Sequence, residues 1–415
     1  MRHSLSFLVF LFSLHVSAQS IGTLQGKILD KTSQQPLANA YVNIQNKSLG
    51  TLANEHGEFT LKYPVINLED NVVVSAIGYQ NATKKIASFT TGQADTLWLE
   101  ALAPIQLDTA FTNHVSSKKM VADAVFRVKA NYQMQPFMLT GFYQETLWRD
   151  SLFVKISEAL LKAEKNPTPP EKIPDNFMSE KVKLIKGRTY DKTDLTAELT
   201  EFGFGNGPAI VSHSMEVAIP EYLEGKNFDD YEYKLDSLLT GFDGKPAFIF
   251  HFAPANKKVK AAREGQIYVD TTSRAIIRIE YEFTPEGLKD VVKGTFKSVF
   301  GRMKTEVKRV SAHYDYRPFG GKWYLQDSQL LLEANLKQGK DFQAFASLHL
   351  AFVVNEVALK YNPAIRPEEH LQSTENFSKG GYRYDDTFWG NFNFLKPTPT
   401  MRAIVKKPVP PKRTQ

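Results

Sequence analysis

Cysteine is absent from the 415 residues. That excludes disulfides, thiol nucleophiles, thiolate metal sites and lipid attachment through an N-terminal cysteine. Long apolar runs are also scarce, and beyond the first twenty residues no stretch is apolar enough, for long enough, to form a membrane-spanning helix. Charge of one sign is missing too: 51 Lys and Arg face 45 Asp and Glu, a net charge of +6. So small an excess gives no ground for a nucleic-acid partner. What is plentiful is aromatic, with 29 Phe and 17 Tyr, a composition that favours strands over helices.

The opening "MRHSLSFLVFLFSLHVSAQS" has a basic start at Arg2, an apolar stretch from Leu5 to Val16 and small residues at its end. It reads as a secretory signal peptide over residues 1–18, cut after Ala18. An exported chain of this length without disulfides is expected to hold itself together by domain size, in two or more domains. That combination fits a bacterial envelope protein, in the periplasm or peripherally attached to the outer membrane.

From Ile21 to Leu102 short alternating runs are separated by turn residues, as in an all-β sandwich. "GTLQGKILD" puts Leu24, Gly26 and Ile28 on one side, and "ANAYVNIQN" puts Ala40, Val42 and Ile44 on one face. Phe59 with Leu61 and Leu97 with Leu99 repeat the pattern. Within this region "GTLANEHGEFTL" crowds Asn54, Glu55, His56 and Glu58 around Gly57, as a metal loop might. The spacing lacks the alternating acids and terminal Glu of a calcium loop. A turn shaped by Asn54 and Gly57, with Glu55, His56 and Glu58 on its solvent side, is the simpler expectation.

The run Gly26-Lys27-Ile28-Leu29-Asp30, then Pro36-Leu37, Ala40, Val42, Gly50-Thr51, Asn54, Gly57-Glu58-Phe59, Ser75 and Ile77-Gly78-Tyr79 resembles the carboxypeptidase regulatory-like domain. The resemblance implies a transthyretin-type sandwich of seven strands over residues 19–104. It also implies no peptidase chemistry, and a setting among exported Bacteroidetes envelope proteins.

Residues 105–395 read as a helix followed by a larger β-rich domain. In "SSKKMVADAVFRVKANYQ" Met120, Val121, Ala124 and Val128 recur at helical spacing, Ser116 or Ser117 supplies a cap, and the pattern fades at Asn131. A Pro-rich insertion spans about residues 166–176. Beyond it come long strands with hairpin signals at Phe242-Asp243-Gly244, Thr271-Thr272-Ser273 and Phe319-Gly320-Gly321. "GQIYVDTTSRAIIRIEYEF" followed by "KWYLQDSQLLL" resembles the half-barrel sheets of LolA-like periplasmic carriers. The helix with Asn131-Tyr132, Phe137, Gly141-Phe142-Tyr143 and Glu158-Ala159 resembles a Bacteroidetes envelope family that pairs such a region with the regulatory-like domain. Residues 396–415, with Pro397, Pro399, Pro408, Pro410 and Pro411, are expected to be a disordered Pro/Lys-rich tail. The fold class is therefore mainly β: a sandwich, then an antiparallel half-barrel-like domain with one or two packed helices.

Catalytic constellations are hard to find. Neither H-E-x-x-H nor G-x-S-x-G occurs, and Gly203-Phe204-Gly205-Asn206-Gly207 lacks the Lys-Ser/Thr ending of a phosphate loop. His213-Ser214-Met215-Glu216 matches the H-x-x-E ligand pair of zinc carboxypeptidases, with His313 or His349 as a third ligand. The scaffold of those enzymes is absent, and a strand position explains His313 and His349. The acidic pairs Asp229-Asp230, Glu368-Glu369 and Asp385-Asp386 are expected to be solvated. No catalytic, cofactor or metal residue is assigned. The expected function is non-enzymatic binding or assembly with outer-membrane or periplasmic proteins. A carrier of an apolar ligand is the alternative, and a zinc metallopeptidase the less favoured one. Phe248, Phe250, Phe252, Ile267, Val269, Ile277 and Ile279 would line either a packed core or the carrier's cavity.

Overall fold

The computed structural model describes residues 20–104, 116–166, 181–191, 220–242, 244–294, 304–340, 342–360, 364–371, 385 and 387–406. The first unit holds β1 (Ile21–Asp30), β2 (Tyr41–Ile44), β3 (Gly50–Leu52), β4 (Glu58–Pro64), β5 (Asn71–Ser75), β6 (Tyr79–Gln80), β7 (Ala82–Lys85) and β8 (Ala94–Ala101). They form two four-stranded sheets, β4-β1-β8-β6 and β3-β2-β5-β7. The expected strands are all present, and the two-residue β6 brings their number to eight. Alternation places Leu24, Ile28, Val42, Ile44, Phe59, Leu61, Leu97 and Leu99 in one shared core.

The second unit is one antiparallel sheet of ten strands: β9 (Phe137–Arg149), β10 (Leu152–Lys165), β11 (Lys181–Asp191), β12 (Tyr231–Thr240), β13 (Pro246–Pro254), β14 (Arg263–Asp270), β15 (Ile276–Phe283), β16 (Lys304–Phe319), β17 (Lys322–Gln338) and β18 (Phe342–Ala358). Their order is β11-β10-β9-β18-β17-β16-β15-β14-β13-β12. The three expected hairpins form. Gly320 and Gly321 take φ of 56° and 80° in the two-residue turn between β16 and β17, a geometry that matches strand twist and suits glycine.

One face of this sheet is apolar. Helix α1 (Ser117–Phe126) packs Val121 and Ala124 onto it, with the Ser116 side chain accepting from Lys119 N as its cap. The helix breaks at Arg127, a short turn α2 (Val128–Asn131) follows, and Val128 continues the apolar stripe. Two further helices are α3 (Gly225–Asp229) and α4 (Pro285–Gly294); α4 adds Leu288 and Val291 to the same core. Phe248, Phe250, Phe252, Ile267, Val269, Ile277 and Ile279 all lie buried within it. Among the described residues no helix is long and apolar enough to cross a membrane.

The opposite face is polar around His313, Asp315 and Asp327 but carries an apolar patch of Phe142, Leu160 and Val353, where the sandwich docks with residues 387–406 between. Tyr41 and Leu52 meet Val353 and Leu395. Arg317 donates to Ser48 O at 2.6 Å, and Ser48 Oγ to Val357 O at 2.9 Å. The disordered tail expected from residue 396 is corrected for its first part. Thr398 caps helix α5 (Pro399–Val405), and Pro399 sits at its start, where a missing N–H costs nothing. Met401 and Val405 bury themselves against Phe153, Ile156 and Tyr190, so apolar contact outweighs the proline content. Residues 407–415 and the Pro-rich insertion beyond Asn166 lie outside the described residues.

Candidate functional site

Strand alternation sets Ser311, His313, Asp315 and Arg317 of β16 on the polar face. The register brings Asp315 between Arg278 of β15 and Asp327 of β17, and His313 between Glu280 and Gln329. Arg278 grips Asp315 with two parallel hydrogen bonds of 2.6 and 2.7 Å. His313 Nε2 lies 3.0 Å from Asp315 Oδ2 and 3.8 Å from Asp327 Oδ2, while its Nδ1 lies 3.7 Å from Glu280. Gln326 and Gln329 donate to the two oxygens of Asp327 at 3.2 and 3.1 Å. Tyr268 OH is within hydrogen-bond distance of Gln266 and Glu280.

Both aspartates are fully buried, so their ionisation depends on neighbours. Burial alone would push Asp315 up, but Arg278 and His313 outweigh it and hold the carboxyl well below the usual range. Asp327 has no such fork: burial first and Asp315 second push it up to about 6. Burial disfavours charge on His313, yet Asp315 and Glu280 overcome it and raise the imidazole to about 10. The site thus carries an imidazolium and a guanidinium among three carboxylates.

Above it runs a cleft of about 480 Å³ that crosses β9 and β14 to β18. Gln144, Gln266, Glu280, His313, Gln329 and His349 supply much of its polar wall. Burial lowers the pKa of His349, against the pull of Glu333 and of Glu55 from the sandwich. The cleft can therefore hydrogen-bond a polar partner through amides and carboxylates.

Residues 54–58 form a turn. Asn54 Oδ1 accepts from His56 N and Glu58 N, both at 2.9 Å, and Gly57 takes φ +72°. Glu58 departs from the expected solvent side: it pairs with Arg402 at 3.0 Å, because α5 docks there. Burial would raise Glu58, but Arg402 and the Asn54 amide hold it low. The candidate pair His213 and Glu216, and the glycine cluster 203–207, lie outside the described residues. His313 and His349 both sit on strands as expected, and both reach the cleft. Glu369 is less solvated than expected, bonding Arg366 and Lys183. The cluster around His313 was missed as a site. Its signal is the period-2 run of polar residues in "SAHYDYR".

Residues 24–109 match the CarboxypepD_reg-like domain family, across strands β1 to β8. No curated protein matches the chain. Among solved structures, a DUF1329 family protein from Desulfovibrio piger aligns with 62% of this chain and 100% of its own, at 11% identity and a TM-score of 0.25. A membrane-associated protein of unknown function from Bacteroides fragilis aligns over 81% of this chain and 98% of its own, at 10% identity and a TM-score of 0.15. Similarity at that level says nothing about function.

Proposed function

We propose that the protein is an exported, non-enzymatic envelope protein that works by binding or assembly on the periplasmic side of the outer membrane. The observation that carries this reading is the division of labour between the faces of the large sheet. Its apolar face is filled by side chains, whereas its polar face keeps an open hydrogen-bonding cleft beside a docked sandwich. A matched domain family without catalytic machinery supports it further.

A carrier of an acyl chain needs empty apolar space. Phe250, Phe252, Ile267 and Ile279 are all within 1% of complete burial against one another and their neighbours. Their packing favours a polar partner, held by the cleft. Native mass spectrometry of the protein taken from its own envelope tests this. A copurifying protein supports assembly, and stoichiometric lipid would replace it with the carrier reading.

A further inference from the structure

We propose that His313, Asp315 and Asp327 form a site for one divalent cation of borderline hardness, such as Zn(II), beneath the floor of the cleft. The inference stands apart from the binding reading, and either can fail alone. One ligand atom from each residue can be chosen so that all three lie within 4.8 Å of one another. Tetrahedral zinc with bonds of about 2.0–2.1 Å holds its ligands roughly 3.3 Å apart. The observed 3.0 Å from His313 Nε2 to Asp315 and 3.8 Å to Asp327 straddle that spacing, so small side-chain rotations close the shell.

What surrounds the three residues matches what metal ligands need. His313 turns its other nitrogen toward Glu280 at 3.7 Å, a charge attraction that favours this ring orientation. Arg278 fixes Asp315 from behind, and the amides of Gln326 and Gln329 fix Asp327. A separate observation points to a missing ligand: the fully buried Gln326, with its Nε2 on Asp327, leaves Oε1 with no hydrogen-bond partner. That oxygen is an uncommitted acceptor beside Asp327.

Charge agrees with the geometry. With the imidazole neutral, three carboxylates face the one guanidinium of Arg278, and a divalent ion balances the remaining two negative charges. The ion replaces the proton on His313 Nε2, which leaves to solvent as one H⁺ per ion bound. An entry path exists, since His313, Glu280 and Gln329 line the open cleft.

The test uses the full mature chain with Zn(II) or Co(II). The expected result is one ion per chain retained after dialysis, with an X-ray absorption spectrum showing one imidazole and otherwise oxygen donors. D327N should weaken binding by about 100-fold or more, beyond the 10–100-fold typical of an outer-shell loss. H251Q, exposed on β13 and outside the cleft, should bind as wild type. Retention of no ion, unchanged affinity in D327N, or a spectrum with two or more imidazoles would each overturn the proposal. The spectrum of the wild-type chain decides the matter even where a variant fails to fold.

Discussion

Replacing Arg188 by Met should release residues 387–406 from the large sheet. Arg188 Nε lies 2.6 Å from Glu158 Oε2, with the two side chains 2% and 0% exposed. Its guanidinium is also stacked on Phe388 and Trp389, 4.9 Å from each ring centre, and donates to Asp385 O at 3.3 Å. Removing the cation strands a buried carboxylate whose other described donor is the Gln144 amide at 3.1 Å. Breaking a buried pair from one side costs about 3–5 kcal/mol, and the ring contacts add roughly 0.5–2 kcal/mol. Because the pair joins β10 and β11 to the C-terminal segment, the loss should appear there first. Hydrogen exchange of residues 387–406 should accelerate by about a thousandfold, the equivalent of roughly 4 kcal/mol. Arg188→Met with Glu158→Leu should recover much of it, since no charge is then left alone. The reasoning is refuted if Arg188→Met exchanges within about fivefold of wild type, or if the double variant is as loose as the single one.

Other outcomes follow from the same contacts. Gly57→Ala should cost about 1–3 kcal/mol in calorimetry of the sandwich transition, because φ is +72° and the new Cβ would meet Ile28 O at 2.3 Å. Gly78→Ala, at φ +83° with nothing within 4 Å, should cost less. Asn54→Ala removes the acceptor for two backbone amides and a donor to Lys396 O; about 1–3 kcal/mol is expected, with faster trypsin cleavage at Arg402. Phe250→Ala should cost about 3–5 kcal/mol in urea unfolding if the apolar face is packed, and a much smaller loss would signal empty space already there. Glu369 has its pKa depressed to about 2 by Arg366 first and Lys183 next. Its contribution is therefore present above the unfolded pKa near 4.5 and is lost as pH falls through about 2. Glu369→Gln should remove that part of the acid slope in an acid titration.

The fold was legible where side chains alternate against one core. Leu24 with Ile28, Val42 with Ile44 and Phe59 with Leu61 each fill a face of the sandwich, and a period of two is visible in any such run. The helix from Ser117 was equally plain, cap included. What escaped were contacts between segments more than two hundred residues apart. Asn54 shapes its own turn, which is local and readable, but it also donates to Lys396 O at 3.0 Å. The short helix Pro399–Val405 forms because Met401 and Val405 find Phe153 and Tyr190. Nothing in a proline-rich string announces such a partner.

The site was hidden for a sharper reason, a single extra residue. The Gly320-Gly321 turn sets Phe319 opposite Lys322 and Tyr316 opposite Leu325. Carried on unbroken, that register would set Asp315 opposite Gln326 and leave Asp327 on the other face. A bulge after Asp315 takes up Gln326, so that Asp327 pairs with Asp315 instead. Directly paired residues share a face, and the second carboxylate thereby reaches His313. The same bulge buries Gln326 beside Asp327. Deleting Gln326 should remove the bulge and leave Leu325 followed directly by Asp327, which then falls opposite Asp315 in the turn's own register. Such a chain should lose the amide hydrogen bond to Asp327, about 1–3 kcal/mol in urea unfolding, and keep the two carboxylates paired. A deletion variant that loses several kcal/mol more than this would show that the bulge does more than set which residue faces Asp315.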